Sequence, residues 1–453
     1  MELEIAGNQT DVIIKSAILS NNRAGGAEEV DIAPIITDIT IYEHIAKPYV
    51  TADIMFLDQV NLLQDIDFQG GEKLAITMVH SENRTDGYVI EKEFLIDYIK
   101  KVVKTDERNE TVMAHCVEYT VYESSVQNIS RSYTGAPTDI IGKITSEYLA
   151  KIVEVSGGEN INDMKVVIPN LHPIEACMWL TKRANTSIGL PYYFYSSLAL
   201  DRLILKDLGT MLTQTPINID KPYIYAPSLQ MTPEAMQRFY NIEQFEYEKS
   251  DNLLELIRNG LVGAEYQFID TLTATTKKVE FKVDDDAFIP LAQDNKLGGS
   301  NTRFVYGPDY AVQGKRLSEY NSKVISQVAS SGAYMQDGVS YKSYNDDINP
   351  SDHKRKIVGA ALGQFLAKAP ISISVKGREF LTGDAHYTVG QTIRIVFLDN
   401  DPSSQGLEQR PTIDTKKSGD YIICEAKHVI KYERFDTVLV CGKLASFGEE
   451  VQI

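Results

Sequence analysis

Two stretches near opposite ends of the chain read as copies of one β unit, and everything between them must fold so as to accommodate both. Residues 94–104 alternate apolar and polar positions, turn at 107–110 and return over 111–116; residues 421–431 do the same, turn at 434–436 and return over 437–441. With Phe94 set against Tyr421, Lys100 falls on Lys427, Val102 on Val429 and Lys104 on Lys431. Past the turn, where the first copy has one extra residue, Arg108 falls on Arg434 and Thr111 on Thr437. Lys100 and Lys104 share a strand face, as Lys427 and Lys431 do. A slip of one residue would exchange the faces, so agreement of phase constrains more than agreement of composition. Upstream, residues 72–78 follow Gly70 and Gly71, and residues 391–397 follow Gly390, so each copy is a strand plus a hairpin. Two amphipathic hairpins can also resemble each other through β composition alone. A repeat decides the fold when it is real, and the duplication is therefore the expectation.

A chain of 453 residues is too long for one hydrophobic core and implies two to four domains. Its 43% hydrophobic content is that of an ordinary soluble globular protein. The formal net charge of -18 argues against sequence-specific nucleic-acid binding, which needs a surplus of Lys and Arg. No stretch approaches ~18 consecutive apolar residues, and Met1, Glu2, Leu3 and Glu4 lack the positive start of a signal peptide, so folding in a cytoplasm is expected. Cys116, Cys177, Cys424 and Cys441 have no zinc-site spacing and are expected as buried free thiols.

In chain order, residues 1–125 hold strand-rich runs at 11–19, 35–57 and 74–78 before the first hairpin, and read as a first β-barrel. Residues 35–57 are interrupted at Lys47 and Pro48, which suits a bend. Residues 126–215 read as an α/β insertion. Pro137 opens a helix with Ile140, Ile141, Ile144, Tyr148 and Ile152 on one side, and Pro173 opens a second carrying Cys177, Leu180 and Ala184. A hairpin follows, joined at 198–201. Residues 216–350 read as a mixed middle region: a strand at 241–247, a helix capped by Asp251 with Leu253, Ile257 and Leu261 in line, two more strands, and a polar span over 284–350 that suggests a partner-contacting arm. Residues 351–453 carry a last helix, with Ile357, Ala361 and Phe365, and then the second β unit. The fold class is α+β, mainly β, with two barrels and α/β insertions between them.

Motifs of chemistry are weak. The sequence has no phosphate loop, no zinc-protease helix and no nucleophile elbow. His115 beside Cys116 suggests a thiol with its base, yet adjacent strand residues point to opposite faces. Asp284, Asp285 and Asp286, and the group Asp346, Asp347, Asp352 and His353, offer oxygen ligands without EF-hand spacing and read as solvated turns. Carboxylate pairs for glycoside cleavage are defined in space, so none of the 63 acids is marked. No catalytic, cofactor or metal residue is assigned, and an enzyme is not expected. Trp179 reads as a core or interface anchor. The 25 tyrosines, many in runs such as 192–195 and 223–225, suit surfaces that become buried against partners.

Four stretches resemble one family, the central baseplate hub proteins of contractile-tailed bacteriophages, related to the hub part of type VI secretion spikes. They are residues 136–141 before a helix; 172–176 with 191–195; 241–246 with the helix after Asp251; and 418–428 with 432–439. The resemblance covers most of the chain through loose patterns. It implies two barrels like a tail-tube subunit, so that a homotrimer presents six in a ring and adapts a sixfold tube above to a threefold spike below. It further implies a channel for tape-measure protein and DNA, with surrounding baseplate proteins as neighbours. The location implied is the tail baseplate of a virion, assembled in the bacterial host cytoplasm. Residues after the second barrel include no glycine-rich needle and no lysozyme domain, so a separate spike protein is expected. An acidic channel wall would repel DNA. A tail-associated hydrolase and a receptor-binding tail protein are the alternatives.

Overall fold

The alternation that ties the two stretches together places them in equivalent positions of one large sheet. The structure, a computed structural model, describes residues 12–21, 28–59, 62–66, 68–80, 89–104, 109–158, 163–225, 240–247, 253–271, 274–293, 303–304, 311–329, 335–336, 339–340, 350–367, 370–377, 389–399, 412–414, 417–431 and 434–446. Over these residues the chain is mainly β with helices packed beside the sheets. The first unit consists of β1 (Ile36–His44), β2 (Thr51–Asp58), β3 (Lys73–His80), β4 (Val89–Lys104) and β5 (Glu110–Glu118). The second consists of β6 (Gln244–Tyr247), β7 (Ile371–Lys376), β8 (Thr392–Asp399), β9 (Gly419–Lys431) and β10 (Arg434–Gly442).

Their ladders match residue for residue. Leu74 lies opposite Phe94 in the first unit, and Ile393 opposite Tyr421 in the second. Ile96 faces Cys116, and Ile423 faces Cys441. The next residue on each long strand, Asp97 or Cys424, is bulged out of register. The glycines match too: the N–H groups of Gly71 and Gly390 donate to Ile96 and Ile423 carbonyls, both at 2.9 Å. Gly71 and Gly390 sit at φ of 101° and 79°, a region in which an L side chain is strained. Fully buried Phe94 and Tyr421 plug the same place in each unit. Each such aromatic stabilises the fold by about 1.5–3 kcal/mol through burial.

Beyond the shared bulge the sequence alignment is one residue off. Lys100 forms a second bulge, present only in the first unit, so Lys101 and not Lys100 occupies the place of Lys427, and Val102 that of His428. The pairings of Val102 with Val429, Lys104 with Lys431 and Thr111 with Thr437 shift accordingly, and the bulge breaks the common phase expected for Lys100 and Lys104. Arg108 lies outside the described residues. A bulge adds one residue to one strand only and re-aims the side chains beyond it, and nothing in the local composition marks it.

The strands run β6-β7-β10-β9-β1-β2-β5-β4-β3 across the sheet, which continues past β3 through strands Val12–Ser20 and Glu29–Asp31. The two units therefore join head to tail, with β9 of the second hydrogen-bonded to β1 of the first from Lys431 opposite Asp38 to Glu425 opposite His44. This joint holds a fully buried polar pair: His428 Nε2 lies 2.8 Å from Glu43 Oε2, and His428 Nδ1 3.1 Å from Thr437 Oγ1. Glu43 Oε1 also accepts the backbone N–H of Leu198. Glu118 Oε2 accepts from Ser196 Oγ and from the Val50 N–H, both at 2.9 Å, while Lys92 Nζ donates to the Leu200 carbonyl at 3.0 Å. Buried polar groups thus tie residues 196–200 onto the first unit, because leaving any of them unpaired there costs about 1–3 kcal/mol.

The intervening elements build a second core. α1 (Pro137–Tyr148) starts at the expected proline, and Ile140, Ile141 and Ile144 are fully buried on its inner face. α2 (Pro173–Thr181) packs against it, and both cover strands 132–135, 164–167, 192–196 and 203–207. Ile152 falls after α1 and is 78% exposed, so it is no part of the stripe; Ala184 is buried just past α2. α3 (Leu253–Arg258) forms where expected, while Asp251 is outside the described residues. The span read as an arm does not begin as one. Asp284, Ala287, Phe288 and Leu291 are buried, and Phe288 packs edge-on against Phe365 of α4 (Pro350–Leu366) with ring centroids 5.3 Å apart. Strand Val324–Ala329 then pairs in parallel with Gly263–Asp270. A few apolar residues in a polar composition are enough to anchor the start of that segment.

Candidate functional site

Because neighbours opposite each other in a ladder share a face, the registers trace which residues line each side of the sheet. One side is core: Ile39, Ile41, Ala52, Ile54, Val112, Ala114, Ala426, Ile430 and Leu439 are buried there. The other side is polar. One row runs Tyr98, His115, Asp53, Thr40, Val429, Asp436 and Lys376 across β4, β5, β2, β1, β9, β10 and β7. The next runs Val117, Thr51, Tyr42, Lys427, Val438, Ser374 and Gln244.

The charges on this face are matched with one another. Lys100 Nζ donates to both Asp53 carboxylate oxygens at 2.6 and 2.7 Å, and His115 Nδ1 lies 2.7 Å from Oδ1. Burial pushes the Asp53 carboxyl up, but the hydrogen bonds from His115 and Lys100 outweigh it and hold the group below the usual carboxylate range. Burial alone would lower the Lys100 ammonium; its bond to Asp53 raises it instead. In the second unit Lys376 bridges Glu243 at 2.9 Å and Asp436 at 3.2 Å, and Arg434 bridges the same two acids at 3.5 and 2.6 Å. Lys431 faces Asp38 at 3.5 Å across the joint, and His44 faces Glu425 at 3.4 Å, holding that carboxyl low. Lys427 lies over the Tyr42 ring at 5.9 Å. The chain's net charge of -18 is therefore not concentrated on this face, which is mixed and compensated.

His115 and Cys116 separate as strand geometry requires. Cys116 is in the core, its thiol pushed far up by burial and so unreactive, while His115 turns to Asp53 on the polar side. Asp284 accepts from Ser318 Oγ, and Asp286 from the Lys282 N–H at 2.8 Å and from Lys354 at 2.5 Å, so these acids are used in folding. Among the described residues no group of three His, Cys, Asp or Glu side chains is placed to hold a metal ion. Asp346 and Asp347 are outside the described residues, as are the side chains of Asp352 and His353. Trp179 is half-buried beside the second core, its ring 4.0 Å from the Arg183 guanidinium. Tyr192, Tyr195 and Tyr223, read from composition as partner-facing, are buried within the chain itself. The alternation around Tyr42 and Asp53 is visible in the sequence, but nothing there connects them to His115 and Lys100.

Among the described residues two stretches of strand edge are open, one on β4 within the strand order and one on β6 at its end. β3 covers β4 only as far as Leu95, and among the described residues no strand pairs the outer edge of 98–104. Tyr98, Val102 and Val103 are 40–49% exposed along that edge. At the end of the strand order β6 pairs only with β7, and Tyr247 is 40% exposed.

No protein-family model matches the sequence, and no curated protein matches it. Solved structures do. The tail protein from Neisseria meningitidis MC58 superposes with a TM-score of 0.50 at 12% identity, over 94% of this chain and 96% of that one. The 43 kDa tail protein of prophage MuSo2 from Shewanella oneidensis gives a TM-score of 0.50 at 10% identity, over 94% and 98%. This chain has the tail-protein fold. The E. coli c3393 protein, a component of the type VI secretion system, is a further neighbour, with a TM-score of 0.41 at 7% identity over 96% and 78%. The tail resemblance drawn from the sequence thus has phage tail proteins among the chain's structural neighbours.

Proposed function

We propose that this protein is the structural hub of a phage tail baseplate: a homotrimeric ring, adapting the sixfold tail tube to the threefold central spike and leaving a channel for tape-measure protein and DNA. Its role is geometric and not enzymatic, and its place is the virion tail, with tube-type proteins above, the central spike protein below and other baseplate proteins around it. The residues divide into a first tube-like barrel (1–125), an α/β insertion (126–215), a middle region with a polar arm (216–350) and a second tube-like barrel (351–453) completed by strands from the middle region.

One observation carries the reading. Within the chain, the long strand β9 of one unit is paired with the first strand β1 of the other. The matching pair, the 98–104 stretch of β4 and the outer side of β6, has no strand against it among the described residues. Applying the same joint between copies sets Val102, which stands where His428 does, opposite Tyr247, which stands where Ile41 does. A head-to-tail contact of this kind closes into a ring when its rotation permits, and closure removes both exposed edges. Three chains of two units give the six equivalent positions that a sixfold tube needs.

The test is a disulfide. Val102 and Tyr247 lie on strands that six others separate in the sheet order, so a cross-link between them is expected to join two copies. Oxidised Val102→Cys/Tyr247→Cys protein is expected to run as a covalent trimer on a denaturing gel, with neither single variant doing so. A ladder extending past three chains, or a monomer in light scattering with no cross-link, would overturn the ring.

A further inference from the structure

The polar sheet face carries cations scattered over its strands, Lys100, Lys376, Lys427, Lys431 and Arg434, which would bind phosphate if left bare. We propose that Asp53, Glu243 and Asp436 act as guards that keep the basic side chains of the polar face from retaining double-stranded DNA that moves along it. The proposal rests on the hub reading for the DNA, but the guarding is a property of the face in one chain.

Phosphate and carboxylate compete here for the same cations. Lys100 is held by both oxygens of Asp53, and Lys376 and Arg434 are each held by Glu243 and Asp436, with every contact between 2.6 and 3.5 Å. A phosphate must displace a carboxylate before it gains the cation, so the counterion release that drives non-specific DNA binding is already spent. Stability gives little reason for the Lys376 and Arg434 pairs, which are partly exposed and contribute about 0–1 kcal/mol, while Asp53 is buried and its pairing also serves the fold. A face made of acids alone would repel DNA, and one of bases alone would hold it. Matched pairs do neither, which is what a wall passed by both polypeptide and polyanion requires.

The experiment uses the whole protein and a fluorescein-labelled 30-base-pair duplex of mixed sequence, read by anisotropy between 20 and 200 mM salt. Wild type is expected to leave the duplex free. Glu243→Gln/Asp436→Asn, which uncovers Lys376 and Arg434, is expected to bind at least about tenfold more tightly at low salt, with a log-log salt slope near -2 from two phosphate contacts. Asp53→Asn is expected to act in the same direction with half the slope. A charge-matched control, Glu147→Gln/Glu154→Gln, removes the partners of Arg131 and Arg202 on the insertion and is expected to behave as wild type. The proposal falls if wild type binds as tightly as the uncovered variant, if uncovering changes nothing in a protein of unaltered melting temperature, or if the control binds equally. Light scattering on the same samples separates this outcome from failure of the ring, because a monomer exposes the same face.

Discussion

β9 and β4 are equivalent strands with opposite surroundings. Ala426, His428 and Ile430 on β9 are buried because β1 lies against them, whereas Tyr98, Val102 and Val103 on β4 are exposed because no described strand does. The closed joint is sealed by a buried His–Glu pair, which fixes one register; the open one offers valine and tyrosine, which can meet a second copy after folding. An intramolecular joint can carry a polar pair that is costly to leave unmade, since its partner is always present. An edge that must survive alone before assembly cannot.

The largest expected effect is on assembly. Val102→Asp places a charge at the centre of the open edge and should abolish the oligomer in light scattering, while the monomer's urea midpoint stays within about 0.5 kcal/mol of wild type. Loss of folding together with assembly would mean that β4 is an internal strand and the comparison of edges is mistaken.

Next comes the closed joint. His428→Ala leaves Glu43 with the Leu198 N–H alone in a fully buried place and is expected to cost about 3–5 kcal/mol in urea denaturation. A cost below about 1 kcal/mol would show that the joint is held by its apolar residues and that the pair is incidental.

How far the sequence carries these points differs between the units. Phase as far as the shared bulge, the paired glycines and the place of Phe94 and Tyr421 are legible because strand alternation writes them directly into the residues. The bulge at Lys100 is not, since it depends on how β5 is held on its other side by β2. The polar face is half legible: Tyr42 and Asp53 alternate visibly, but their partners His115 and Lys100 lie 62 and 47 residues from Asp53 in sequence. The Glu43–His428 contact, separated by 385 residues, has no local signal at all. The segment beginning at Asp284 reads as an arm from its composition, yet Phe288 and Leu291 outweigh three aspartates once a core is within reach.

The matched glycines sharpen the comparison further. Alanine at Gly71 meets open space and bears only the strain of a positive φ, about 1–2 kcal/mol. At Gly390 the same methyl would run into the buried Tyr195 hydroxyl and ring. Gly390→Ala is therefore expected to cost about 1–3 kcal/mol more than Gly71→Ala, from overpacking. Equal costs in thermal melts would mean that Tyr195 yields.

The smallest effect tests two buried charges of opposite sign. By ladder position Lys443 stands where Glu118 does, immediately after the residue facing Leu95 or Ile422. Glu118 is met by Lys92 at 3.6 Å, whereas Lys443 Nζ donates to the carbonyls of Lys417 and Ser418, both at 3.3 Å, over the Tyr421 ring. Burial lowers the Lys443 ammonium from 10.5 to about 8. The unfolded chain then binds the proton more strongly than the folded one, so wild-type stability rises with pH between 8 and 10.5 and is flat with respect to this group below pH 8. Below pH 8 the penalty is about 3 kcal/mol. Lys443→Met removes it but strands two carbonyls, each costing about 1 kcal/mol. The variant is expected to be about 1 kcal/mol more stable than wild type at pH 7 and less stable at pH 10.5, as read from paired urea titrations. A difference that does not change with pH would show that Lys443 stays charged in the folded protein across this range.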